Sequence, residues 1–231
     1  MLRKIENVEY DFPNGDYFID VGGNRGTWSI EFYEAYKNII FIDPSRQCID
    51  EARNNIKTHC EYHNIPYVDK ITFMRNFVSN QSGQSVDIYS CTNDTANYSL
   101  YAKELYGANN VTLSETSIET ITLDSLMSNI PNESKILIKI DTEGADLDVL
   151  LGASKLINKF KPLIVVEMHW HMFYDKCKKE MVFWYLKSLG YTFKTFLNYY
   201  WINQPDIIAD GTHTGREMVS LHFQMIMIPP S

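Results

Sequence analysis

The chain has 231 residues, 45% of them hydrophobic and 22% charged, a balance that excludes a disordered or fibrous protein. Its 21 Lys and Arg against 29 Asp and Glu leave a formal charge of −8 and a pI near 5.2. That sign makes nucleic acid an unlikely partner, since such affinity comes largely from neutralising phosphates with a basic face.

Met1 to Asp16 is polar and carries four acids, so it does not read as a signal peptide. Tyr17 to Val21 reads as a short buried strand that runs into a glycine cluster. Trp28 to Lys37 has apolar residues at helical spacing, and Ile39 to Ile42 is a second strand stopped by Asp43-Pro44. A helix is expected from about Cys48 to His59, and a third strand over Ile71 to Met74. Between about 80 and 134 the rhythm breaks into a Ser-, Thr- and Asn-rich stretch. It suggests a hairpin at Val86 to Ser90, a short helix at Leu100 to Leu105 and a strand-like piece at Ile118 to Leu123. One domain spanning 1–231 with this insertion is preferred to a small second domain over that stretch.

Lys135 to Ile140 reads as a fourth strand, near-continuously apolar as when both faces are covered. Asp146 to Phe160 is the clearest helix, with acids at its start and lysines near its end. Leu163 to Val166 is a fifth strand, Lys178 to Leu189 a helix stopped by Gly190, and Tyr191 to Leu197 and Val219 to Ile228 are the last two strands. Strands alternating with helices predict a parallel α/β sheet covered on both sides.

No two of Cys48, Cys60, Cys91 and Cys177 form a C-x-x-C pair, and no Cys/His cluster has zinc spacing. Free thiols in a reducing compartment are expected. No apolar run approaches the roughly 20 residues of a membrane span, so a soluble, cytoplasmic protein is expected.

Four constellations carry chemistry. The first is Phe18-Ile19-Asp20-Val21-Gly22-Gly23-Asn24-Arg25-Gly26-Thr27-Trp28, a strand, a glycine turn and a helix. Glycine lets backbone approach a ligand closely, although the same glycines could simply make a tight turn. The dinucleotide fingerprint Gly-x-Gly-x-x-Gly fails at Asn24 and Thr27, or at Arg25 and Trp28 in the other frame. A nicotinamide oxidoreductase is thereby disfavoured. The second is Asp43, about 20 residues on, where an acid can accept hydrogen bonds from both ribose hydroxyls. The third is Ile138-Lys139-Ile140-Asp141-Thr142-Glu143-Gly144-Ala145-Asp146, with acids just past a strand's carboxyl end, unless they cap the next helix. The fourth is Val165-Val166-Glu167-Met168-His169-Trp170-His171, whose polar groups are costly to bury unpaired.

With Thr122-Leu123-Asp124-Ser125-Leu126, Leu150-Leu151-Gly152-Ala153 and Pro162–Glu167 added, the chain resembles the FkbM family of S-adenosylmethionine-dependent methyltransferases over most of residues 17–170. Asp43 departs from the glutamate more common in relatives and keeps the same acceptor chemistry. The resemblance implies a Rossmann-like class I methyltransferase fold, a seven-stranded, mostly parallel sheet with an antiparallel last strand. It implies S-adenosylmethionine over Asp20, Gly22, Gly23, Asn24, Arg25 and Gly26, with Asp43 and Ser45 at the ribose and Asn76 and Phe77 at the adenine. Asp141 would stand by the methionine end.

The implied reaction is O-methylation of a glycan, glycolipid or nucleotide-sugar hydroxyl, or of a small secondary metabolite. The acceptor's proton needs a base, for which Asp141, Glu167, His169 and His171 are the candidates. His169 or Asp141 is preferred, with Glu167 orienting. A divalent ion on Asp141, Glu167 and a histidine is admitted by the sequence but not required. Tyr199, Tyr200, Trp201, His213 and Arg216 suit sugar stacking and hydroxyl recognition, and equally a surface loop held by buried anchors. A catalytically silent cofactor-binding module is disfavoured because Asp20, Asp43, Asp141 and Glu167 are all present, and no Lys-Asp-Lys-Glu set of an RNA ribose methyltransferase can be assembled.

Overall fold

A computed structural model describes residues 2–5, 8–91, 94–99, 111–169, 176–197 and 222–230; for several of these, 168–169 and 222–224 included, it describes the backbone only. The expected helix at Leu100 to Leu105, His171 and the 199–216 segment lie outside the described residues.

The main sheet holds seven strands: β3 (Gly15–Val21), β4 (Tyr36–Ile42), β5 (Ile71–Met74), β10 (Ile136–Ile140), β11 (Leu163–His169), β12 (Thr192–Leu197) and β13 (His222–Ile228). Their spatial order is β12-β13-β11-β10-β3-β4-β5. The β11, β10, β3, β4 and β5 neighbours are parallel, and β13 runs antiparallel to both β11 and β12. The expected seven strands are therefore present, and the last is antiparallel.

Strand alternation sorts their side chains into two cores. Ile19, Ile138, Ile164 and Met225 join one core, which also takes Leu147 and Leu150 of α3 (Asp146–Leu151), Leu156 of α4 (Ser154–Phe160), and Val182 and Leu186 of α5 (Lys176–Ser188). Phe18, Leu137, Val165 and Ile226 join the other, with Trp28 of α1 (Thr27–Glu31) and Ile56 and Cys60 of α2 (Arg46–His63). Adjacent residues of one strand thus serve opposite layers.

Several boundaries differ from expectation. The Trp28 to Lys37 helix ends at Glu31, and a turn follows. Tyr36 opens β4 in register with Gly15, its hydroxyl donating to the Pro13 carbonyl at 2.8 Å. Sheet pairing outweighs the helical spacing there. Helix α2 is longer than expected at both ends: Ser45 accepts from the Cys48 N–H at 3.3 Å at its start, and Asn64 closes it with a left-handed φ of 54°.

The helix expected from Asp146 to Phe160 is two helices, broken at Gly152-Ala153. A Cβ at Gly152 would stand 2.1 Å from the Ser79 carbonyl oxygen, so another chain segment passes directly over the break. The Gly152 carbonyl accepts from the Asp124 N–H at 2.9 Å instead of from its own helix. Asp124 then uses its carboxylate as a cap in trans, accepting from Lys155 N at 3.2 Å and Leu156 N at 2.8 Å. That contact explains the Thr122 to Leu126 motif, whose residues 123–129 form a 3₁₀ helix.

Two features were absent from the sequence reading. An antiparallel hairpin, β1 (Leu2–Ile5) with β2 (Val8–Asp11), precedes the sheet. A second sheet of order β6-β9-β7-β8 is built by β6 (Phe77–Val78), β7 (Ser85–Cys91), β8 (Asp94–Ser99) and β9 (Val111–Ile121). The expected hairpin at Val86 to Ser90 is a single strand of that sheet, β7, which pairs with both β8 and β9. Phe77, Ile88 and Ile118 form its small core around Ala145, the residue that starts α3.

Candidate functional site

Sheet register defines the site. Met74, Ile42, Val21, Ile140 and Val166 are paired in one row across β5, β4, β3, β10 and β11. The next residues, Arg75, Asp43, Gly22 and Asp141, therefore stand on one rim at the carboxyl ends of four parallel strands, level with Glu167 of β11, which continues two residues further to His169. Chain order reverses between β3 and β10, and ligands bind open α/β sheets at such a switch point.

A cleft opens on this rim. Gly22, Asn24, Asp43 and Pro44 line one part, Asn76, Phe77 and Val78 another, and Asp141, Thr142 and Glu143 the third. Of the residues expected at the cofactor, Gly22, Asn24, Asp43, Asn76, Phe77 and Asp141 are brought together here.

The others stand behind it. Asp20 is wholly buried and accepts from Ser29 Oγ at 2.7 Å, so it supports the floor instead of lining the cleft. Gly23 packs under the Phe41 ring, and Gly26 starts α1 against Ala52. Arg25 is exposed and faces Glu51 at 3.2 Å. Buried Ser45 caps α2. Helix α1 is only five residues long, so little dipole is available to attract an anion.

Asp43 is 5% exposed, and its two oxygens hold the surrounding backbone. Oδ1 accepts from Ser45 N at 2.9 Å and Oδ2 from Asn24 N at 3.0 Å. Burial pushes its carboxyl up to about 7, Asp20 adds to the rise, and those two N–H donors and the Lys139 charge oppose it. Cys48, beside it, is pushed up to about 12 by burial, which leaves an inert thiol. Cys48 and Cys60 are both free and buried.

The turn after β3 is tight. Gly22 has φ +68°, and a Cβ on it would stand 1.7 Å from the Asp141 carbonyl oxygen. Across this contact the Asp141 N–H donates to the Val21 carbonyl at 3.0 Å. Asp146 does not cap its own helix. Its carboxylate accepts from Thr142 N at 2.8 Å, Thr142 Oγ1 at 3.0 Å and Gly144 N at 3.2 Å. It thereby shapes the loop that carries Glu143, whose backbone is left-handed at φ 50°.

Lys139 was missed as a site residue. It is 6% exposed, and its Nζ donates to the Gly22 carbonyl at 2.8 Å and to Asp141 Oδ2 at 3.2 Å, with Asp20 Oδ1 at 3.8 Å. The available signal was a lone charge inside Ile136-Leu137-Ile138-Lys139-Ile140. The second sheet also reaches the rim. Glu115 of β9 accepts from Arg46 N at 3.2 Å and from Arg75 Nη2 at 2.5 Å, while Asn76 Nδ2 donates to the Glu119 carbonyl at 3.2 Å.

Glu167 is half-buried on β11 beside Gln224 of β13, outside the cleft lining. His169 closes β11, paired with His222. Among the described residues no three His, Cys, Asp or Glu side chains are grouped to hold a metal, and no described helix is long and apolar enough to cross a membrane.

Strand order, antiparallel last strand and switch-point cleft together define a class I methyltransferase fold. The profile of the FkbM methyltransferase domain matches residues 20–193, about three quarters of the chain. The chain belongs to that family.

Among solved structures, the chain is similar to a methyltransferase FkbM from Methylobacillus flagellatus KT, with TM-score 0.54 and 14% identity. The match covers 94% of this chain and 44% of that one, so this chain spans less than half of its relative. An rRNA methylase from Streptococcus thermophilus matches at TM-score 0.45 and 9% identity over 95% of this chain and 89% of that one. The O-methyltransferase TomG of Streptomyces achromogenes, involved in tomaymycin synthesis, matches at 0.45 and 8% over 94% and 74%. No curated protein sequence matches the chain.

Proposed function

We propose that the chain is an O-methyltransferase acting on a sugar hydroxyl, with the rim cleft as its cofactor site. The observation that carries this reading is the polar lining of the cleft. Its ionisable groups are the carboxyls of Asp43, Asp141 and Glu143, and among the described residues no lysine or arginine lines it. Such a wall suits a cationic cofactor and a neutral, hydroxyl-bearing acceptor better than a phosphate chain.

The donor set fits S-adenosylmethionine. Each Asp43 oxygen uses one lone pair on a backbone N–H and retains another for a vicinal diol. Ile42, Pro44, Phe77 and Val78 offer apolar walls for a flat base. When bound, the cofactor supplies an electrophilic methyl group on a sulfonium.

The chain's own residues then align the acceptor oxygen and remove its proton, since orientation supplies much of such a rate. Asp141 Oδ2 is already committed to Lys139, so we assign the proton to His169, with Glu167 orienting and Asp141 holding the acceptor side of the cleft. The test is a labelled-methyl screen of the purified protein against monosaccharides, nucleotide sugars and oligosaccharides. Label on a sugar hydroxyl is expected; label transferred only to non-sugar metabolites or to RNA would refute the sugar assignment.

A further inference from the structure

A lysine in the interior of a buried strand is expensive unless every nearby charge and dipole is arranged around it. Lys139 lies on β10 in register with Asp20 of β3 on one side and Val165 of β11 on the other. Ile138 and Ile140 point into the α3–α5 core, whereas Leu137 joins the α1–α2 core. Alternation therefore places Lys139 and Asp20 together on the α1–α2 face, where Ser29 of α1 holds Asp20 from beneath. From there the ammonium reaches up past the strand end to two acceptors that belong to the cleft wall. It donates to the carbonyl of Gly22 at 2.8 Å and to the carboxylate of Asp141 at 3.2 Å.

Those two acceptors sit on opposite sides of the point where chain order reverses, one after β3 and the other after β10. A counter-charge for Asp20 alone would not need the Gly22 carbonyl. We propose that Lys139 is a positioning residue for the cofactor: it locks the Gly22 turn and the Asp141 carboxylate into one rigid wall. This inference rests on reading the rim cleft as the cofactor site. Lys139 acts through Gly22 and Asp141, from behind the wall. Charge-assisted hydrogen bonds are the strong ones in a buried setting, and removing one donor frees two wall elements at once.

The experiment compares S-adenosylhomocysteine binding by calorimetry, and thermal midpoints, in wild type, Lys139→Met, Lys139→Arg and the double variant Asp20→Asn/Lys139→Met. Asparagine still accepts the Ser29 hydroxyl, so the double variant removes both buried charges and keeps the fold's hydrogen bond. The expected result is a lowered midpoint in Lys139→Met that the double variant largely recovers, while its affinity stays down by roughly tenfold or more, the scale of a lost charge-assisted hydrogen bond. Lys139→Arg, which keeps a cation at the wall, should bind more tightly than Lys139→Met. A double variant that binds as well as wild type would reduce Lys139 to the counter-charge of Asp20 and overturn the proposal. A wild type that fails to bind S-adenosylhomocysteine would overturn the cleft assignment itself, and this inference with it.

Discussion

The backbone N–H of Asn24 donates to Oδ2 of Asp43 at 3.0 Å. The acid that ends β4 thus shapes the turn that ends β3, and the same carboxylate holds Ser45 at the start of α2. One side chain organises two loops and faces the cleft between them.

Removing it should cost binding first. Asp43→Ala should keep the sheet intact and bind S-adenosylhomocysteine at least tenfold more weakly, because buried acceptors for two hydroxyls disappear together. Calorimetry on both proteins measures the difference, and equal affinities would refute the ribose assignment.

Asp43 should also impose a pH dependence. Burial raises its carboxyl from 3.8 to about 7 in the folded chain, so folding takes up a proton between those values. Its contribution to stability is therefore largest below about pH 4 and is lost as pH rises through 7. The linked free energy is on the order of 4 kcal/mol at most. Urea midpoints measured from about pH 5 to 8 should fall less steeply in Asp43→Asn than in wild type. A diol that donates to the carboxylate favours its charged form, so ligand binding should release a proton near neutral pH. Calorimetric enthalpies in buffers of different ionisation heat detect that release.

Glycine replacements should separate close approach from backbone preference. Gly22 and Gly83 both have positive φ, but a Cβ at Gly22 collides with the Asp141 carbonyl, whereas nothing lies within 4 Å of one at Gly83. Gly83→Ala should cost about 1–2 kcal/mol, the strain of a left-handed residue. Gly22→Ala should cost clearly more than that, because backbone must move at the switch point. Thermal unfolding of the pair is the check, and equal losses would contradict the collision.

His169→Ala should leave S-adenosylhomocysteine affinity within a factor of two or so and reduce methyl transfer roughly 100-fold or more, the usual range for a lost general base. Unchanged turnover would remove His169 from that role and leave Glu167, Asp141 and His171.

The strands were legible because strand identity is a local property. Ile136 to Ile140, apolar except at Lys139, and Leu163 to Val166, apolar throughout, read as strands covered on both faces, and that pattern needs no partner to be recognised. The family was legible for a related reason: Phe18 to Trp28 and Lys139 to Ala145 compress strand end, turn and polar rim into a few adjacent residues. What failed was non-local. The helix expected from Asp146 to Phe160 is broken by Ser79 and Asp124, neither of them near it in sequence. Tyr36 left a helical pattern to pair with Gly15.

The amino-acid sequence by itself determined an acidic α/β chain with seven main-sheet strands, a methyltransferase motif set and the acids Asp43 and Asp141 at strand ends. Those follow from composition, apolar runs and turn chemistry, all short-range. Only the tertiary structure decided that Asp20 lies under the floor, that Glu115 ties the second sheet to the rim, and that Lys139 joins Gly22 to Asp141. Each depends on which strands become neighbours and in what register, and register is set by packing over the whole sheet.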